Sequence, residues 1–194
     1  MEDILKNREY YKLKPKIAMK YLYHPDEFYR FRGAEALGYL CRGERARNYI
    51  LRLFWHLSDE SGAYCIGAPL GIAEIGLNNP EVFDSFKNKY VSLLDDWEVE
   101  RKYVAYGIGK TAHLVRNAYP NPIDKLTEKL NELKDNAEFV AYAVFALLKL
   151  NANIDLKSFK DDCRIVKFYD GDRILKIELC NLLEYLTSHL IPDD

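Results

Sequence analysis

The string FWHLSDESGAYCIGAPLGIAEIG, residues 54–76, gathers Trp55, His56, Asp59, Glu60, Ser61 and Cys65 into eleven positions. Serine, histidine and aspartate are the parts of an acyl-transfer triad, and a cysteine beside a cation can become a thiolate nucleophile. Composition alone does not assemble such a site. A triad needs its serine on a rigid turn facing an oxyanion hole, and the segment has neither a G-x-S-x-G elbow nor a strand-to-helix turn. The residues read first as a turn between two helices, with no catalytic residue assigned. Metal chemistry has no template either. His24, His56, His113 and His189 include no i,i+4 pair and no His-Glu dipeptide. Cys41, Cys65, Cys163 and Cys180 include no C-x-x-C pair. The expectation is therefore no metal, no cofactor, and thiols kept free in a reducing cytoplasm.

The bulk numbers bound the class. The 194 residues are 48% hydrophobic and 30% charged, as in a soluble folded domain, with ten glycines and seven prolines, too few for a turn-rich all-β fold. A net charge of -2 argues against a dedicated nucleic-acid binder, which carries a basic excess. The longest uncharged apolar run, residues 139–148, is about half a membrane span. The opening residues have no apolar signal core, so a cytoplasmic protein with no membrane association is expected.

Internal repetition sets the elements. VAY at Val104 recurs 36 residues later at Val140. GAEALGYL from Gly33 aligns with residues 104–111 at a shift of 71, and APLGIAEI from Ala68 falls between, 35 after Gly33. Each copy has a helix, an acidic turn residue (Asp26, Asp59, Asp96, Asp135, then Asp170 or Asp172) and a second helix rich in small residues. Aspartate there would cap the second helix, and small residues would let neighbouring helices approach closely. The pairs fall at 14–41, 44–76, 80–115, 121–150 and 155–188, the last a looser match, with a short capping helix at 2–12. All belong to a single domain spanning 1–194. Pro80 and Pro122 sit where a first helical turn tolerates proline.

Five copies with a period of 33–39 residues resemble the HEAT-repeat family in its bacterial and archaeal form. The resemblance covers nearly the whole chain and implies an all-α superhelix of about five helix pairs, whose second helices line a concave wall. On that wall Phe31 and Glu35, Ile66 and Leu70, Lys102, Tyr106 and Lys110, and Glu138 and Tyr142 face away from the core stripe, with Tyr106 and Tyr142 side by side. Exposed aromatics on a concave surface suggest a binding patch. The leading expectation is a non-catalytic module gripping a protein partner through Phe31, Leu70, Lys102, Tyr106 and Tyr142. Fifteen tyrosines also make a homodimer plausible.

The second candidate is the irregular turn itself: Trp55, Asp59, Glu60, Cys65, Pro69 and Arg101. Here the turn is about two residues longer than in the first copy, contains Gly62 and Gly67, and sets Pro69 inside the expected second helix. DNA alkylation repair glycosylases built on HEAT-like repeats offer the enzymatic alternative. They resemble this chain in a Trp and an Asp one helical turn apart (Trp55, Asp59), an early Arg on a second helix (Arg101) and a concave-wall aromatic (Tyr142). That resemblance implies aromatic stacking on a lesion and a carboxylate that stabilises a positive sugar. Tyr142 stands where those enzymes have tryptophan, and the acidic balance lacks their phosphate-binding surplus.

Overall fold

A computed structural model describes residues 1–58 and 64–190, with side chains through Ser188. Helices dominate. Those of the first kind are narrow amphipathic rods. Helix α4 (Gly43–Trp55) buries Ala46, Ile50, Leu53 and Phe54, and α10 (Pro122–Glu132) buries Pro122, Leu126, Lys129 and Leu130. Both follow i, i+4, i+7, i+8, a stripe that covers one helix face. Helices of the second kind are buried nearly all round: Ala68–Gly76 of α5 (Ala68–Asn78) and Phe139–Leu148 of α11 (Ala137–Lys149) are entirely inside. A helix without a polar face must be walled on every side.

The packing satisfies that demand. Helix α3 (Glu27–Leu40) packs on α5, α5 on α8 (Arg101–Lys110), and α8 on α11, so the inner helices form a ladder. Each also packs against the helix that precedes it: α2 (Pro15–Lys20) on α3, α4 on α5, α7 (Lys87–Ser92) on α8, and α10 on α11. Small residues set the spacing. A Cβ on Gly38 would stand 2.5 Å from the Glu74 carbonyl oxygen of α5, and one on Gly109 would run into Phe145 of α11. This repeated helix-on-helix packing is the solenoid-like arrangement that the small-residue pattern predicts. Among the described residues no helix is long and apolar enough to cross a membrane.

Capping follows the sequence in part. Asp26 Oδ1 accepts the Phe28 N–H at the start of α3. At α11 the cap is Asn136, whose Oδ1 accepts from Phe139 N–H, not the neighbouring Asp135. Asp96 holds a turn by accepting from Glu98 N–H, ahead of α8. Asp59 lies outside the described residues.

The chain departs from an all-α plan after α11. The repeat pattern predicts a fifth helix pair over residues 155–188. Instead β1 (Ile165–Tyr169) pairs antiparallel with β2 (Ile174–Glu178), Ile165 opposite Glu178 and Tyr169 opposite Ile174, before α12 (Leu179–Leu190). The local chemistry favours this. IVKFY is rich in β-branched and aromatic residues, and Asp170-Gly171 is a hairpin turn signal. Gly171 takes φ +102°, which a side chain would resist, and Asp170 Oδ1 accepts from Asp172 N–H and Arg173 N–H.

The hairpin covers the inner wall of the ladder. Tyr169 stacks on Phe31 of α3 at 4.3 Å between ring centroids and 13° between planes. Phe168 stacks on Tyr142 at 4.9 Å, and the Tyr142 hydroxyl accepts from Tyr169 N–H at 2.9 Å. Glu35 fixes the far edge: Tyr10 Oη and Tyr169 Oη each donate to it at 2.5 Å, and Arg32 Nη1 at 3.0 Å. The hairpin tip is tied by Arg32 Nη2 to Asp172 O at 2.8 Å and by Arg8 Nη2 to Gly171 O. The end of the array thus returns to its beginning. Phe31→Ala removes the ring that the hairpin stacks on and should lower stability by about 3–5 kcal/mol. Urea unfolding measures this, and a loss below about 1 kcal/mol would show that the hairpin is held elsewhere.

Candidate functional site

The closure decides which expected site residues can meet a ligand. Phe31, Leu70, Tyr106 and Tyr142 are buried, none more than 3% exposed. Their expected exposure on a concave wall is therefore overturned. Tyr106 and Tyr142 do stand side by side, 5.7 Å apart and edge to face, but Phe31 crosses to Tyr106 at 4.9 Å and the hairpin seals the group. An aromatic strip offered to solvent becomes core once a sheet is laid across it. This burial also deprives the glycosylase-like reading of its stacking face at Tyr142.

The irregular turn changes character as well. Pro69 is the second residue of α5, in the first turn, where its missing N–H leaves no helical bond unmade. It does not interrupt the helix. Cys65 precedes α5 rather than sitting early within it, is fully buried, and burial pushes its thiol up to about 11. A protonated, enclosed thiol is a poor nucleophile. Trp55 ends α4 half-exposed, its ring edge-on to His56 at 5.0 Å. Arg101 opens α8 and faces Glu132 at 3.6 Å. Asp59, Glu60 and Ser61 lie outside the described residues.

Lys102, of the expected strip, lines an open groove. It sits in the first turn of α8, where the helix dipole disfavours a cation. Two carboxylates offset this: Glu27 in the first turn of α3, at 2.8 Å, and Glu138 in the first turn of α11, at 2.6 Å. Burial works to lower the Lys102 pKa, but the two carboxylates prevail and hold it above its ordinary value. Tyr103 Oη donates to Glu27 at 2.8 Å and accepts from Arg30 Nε at 2.9 Å. Glu27, Arg30, Lys102 and Glu138 line an open groove of about 870 Å³ between the α3 N-terminus and the hairpin.

The hairpin forms the opposite wall. Lys167 and Lys176 are directly opposed across the ladder, both exposed, and neither makes an ion pair among the described residues. Both line the groove, as does Ile174 of β2. Sequence reading placed Lys102 and Glu138 on this side of the molecule through their repeat positions, 36 apart. It missed Lys167 and Lys176 because they were assigned to helices. The available signal was the alternation of IVKFY and ILKIE around Asp-Gly.

One further charge lies inside the ladder. Glu74 of α5 is buried, and its Oε1 meets Lys110 Nζ only at 3.5 Å. Burial raises its pKa above the usual carboxylate range, opposed by Lys110 and supported by the neighbouring negative charge of Glu35. Buried Tyr90 and Tyr106 feel its charge in turn.

A protein of Archaeoglobus fulgidus, described as an uncharacterized protein, is 64% identical to this chain over 173 residues. The match covers 88% of the chain and 94% of that relative. No family model matches the chain, and no solved structure matches it. The chain belongs to the family of the Archaeoglobus protein, whose description assigns no activity.

The Glu74 environment has a pH consequence. A carboxyl whose folded pKa lies above its unfolded one binds its proton more tightly when folded. The ionisation penalty of its burial is therefore absent at low pH, and it grows as pH rises from the unfolded pKa to the folded one. Glu74→Gln should remove that loss. Thermal melts at about pH 4 and pH 8 should show the variant gaining on the native protein as pH rises, and parallel profiles would refute the assignment.

Proposed function

We propose that the protein is a cytoplasmic HEAT-type binding module that takes an acidic segment of a protein partner in the groove between the α3 N-terminus and the hairpin. The inner wall is not the gripping surface in this reading, because its aromatics are already packed. The observation that carries the proposal is the Lys167–Lys176 pair. Like charges directly opposite on an antiparallel ladder repel and weaken it. The nearby Glu27 and Glu138 are engaged by Lys102, and an anion brought by a ligand would relieve the lysine repulsion.

Charge favours a peptide over nucleic acid. A groove of about 870 Å³ lies within the usual range of ligand clefts. Its carboxylates Asp26, Glu27 and Glu138 would repel a continuous phosphate backbone, while a peptide can place its acidic side chains against the lysines alone. The helical-repeat packing supports a scaffold that presents a fixed surface, and the free thiols agree with a reducing compartment.

The test is fluorescence anisotropy with a labelled glutamate-rich peptide, against a lysine-rich peptide and a single-stranded oligonucleotide as controls. Lys167→Glu with Lys176→Glu should weaken acidic-peptide binding by about tenfold or more, the equivalent of at least about 1.4 kcal/mol. Native binding should also weaken as salt rises. Unchanged affinity in the double variant would overturn the groove assignment, and tighter binding of the oligonucleotide would turn the reading toward nucleic acid.

A further inference from the structure

Cysteine spacing offers no metal template, because Cys163 and Cys180 are 17 residues apart. The hairpin brings them together. Beyond the last ladder pair, Leu179 N–H donates to Arg164 O at 2.9 Å and Cys180 N–H to Asp162 O at 3.1 Å. These bonds keep the two segments joined at the hairpin root. There Cys163 Sγ, Cys180 Sγ and a carboxylate oxygen of Glu178 all lie within 4.8 Å of one another. Cys163 is exposed and the other two are part-buried, so an ion can arrive from solvent. Cys41 and Cys65 are buried elsewhere.

We propose that Cys163, Cys180 and Glu178 form a binding site for a borderline-soft divalent cation, with Zn²⁺ as the representative. Two thiolates and one carboxylate are a donor set that suits such an ion. Tetrahedral coordination with Zn–S near 2.3 Å places two sulfurs about 3.8 Å apart, a separation that small side-chain rotations can reach from the present arrangement. The surroundings help. Asn181 Nδ2 donates to Glu178 Oε2 at 3.0 Å and orients the carboxylate. Arg164 is held by Asp162 through Nε at 2.9 Å and Nη2 at 2.5 Å, so its charge is neutralised beside the site. Binding forms two metal–sulfur bonds and one metal–oxygen bond in place of metal–water bonds of the hydrated ion, releases the displaced waters and the two thiol protons to solvent, and transfers no electrons. Three protein ligands leave one position for water or an incoming donor. The cation would fasten the root of the same hairpin whose tip rests on Phe31, and the inference is independent of the groove reading.

Cobalt titration of the reduced, full-length protein under anaerobic conditions tests this. The expected result is a near-ultraviolet thiolate-to-cobalt charge-transfer band, with visible bands of tetrahedral cobalt, saturating at one equivalent and abolished by zinc. Cys163→Ser with Cys180→Ser should lose the bands, Cys41→Ser with Cys65→Ser should keep them, and Glu178→Gln should weaken cobalt binding by about tenfold or more. Zinc should raise the melting temperature of the native protein but not of the Cys163→Ser, Cys180→Ser variant. No charge-transfer band at equimolar cobalt would overturn the site, as would bands that survive loss of both Cys163 and Cys180. The native-protein titration decides the matter even if a variant fails to fold. Absence of cobalt binding together with a Cys163–Cys180 disulfide on air oxidation, read as a loss of two hydrogens by intact mass, would overturn it in favour of a redox pair.

Discussion

The stack of Tyr169 on Phe31 is the contact on which the rest of the molecule depends. A ladder of helices is open by construction: each inner helix is covered by neighbours on its sides but not on the wall facing inward. In this chain that wall carries Phe31, Tyr106 and Tyr142. Leaving three large aromatics in water would forgo several kcal/mol of burial, and a two-stranded hairpin without a packed face is marginal by itself. Each defect cures the other. The hairpin gains a surface, the wall gains a cover, and the Glu35 carboxylate satisfies the hydroxyls of Tyr10 and Tyr169 at the margin.

Closure moves the proposed binding surface. A typical solenoid offers its inner wall to partners. Here the inner wall is core, and the proposed site is the lip where the first turns of α3, α8 and α11 meet the strands. The Glu27–Lys102–Glu138 cluster is first of all a structural solution, because Lys102 stands against a helix dipole and needs both carboxylates. Lys167 and Lys176 have no such counter-charge in an ion pair among the described residues. The hairpin that plugs the array therefore also carries two lysines of the groove along its strands and the thiol–carboxylate cluster at its root. An event at either place bears on the same element.

Helix-level features were legible in the chain. Small residues at Gly33, Gly38, Gly71 and Gly109 mark close approach, since any side chain there would strike a neighbouring element. The narrow stripes of α4 and α10, the apolar run of α11 and that of α5, interrupted by Glu74, separate outer from inner helices without reference to coordinates. Proline placement was readable only where the helix start was known. Pro69 reads as a breaker if α5 begins in the turn and as a first-turn residue once α5 begins at Ala68. A helical register imposed on 155–188 hid the hairpin, although its alternation and its Asp-Gly turn were present.

By itself the sequence determined the periodic helices, their inner and outer roles, and the adjacency of Tyr106 with Tyr142. These follow from local spacing, because residues at helical or repeat intervals share a face whatever lies beyond. Only the tertiary structure decided whether that shared face met water or protein. Burial of Phe31 against Tyr169, the opposition of Lys167 and Lys176 at one groove, and the meeting of Cys163 with Cys180 all depend on one folded-back hairpin. No periodicity along the chain encodes that return, since its energy comes from contacts between residues as much as 163 positions apart.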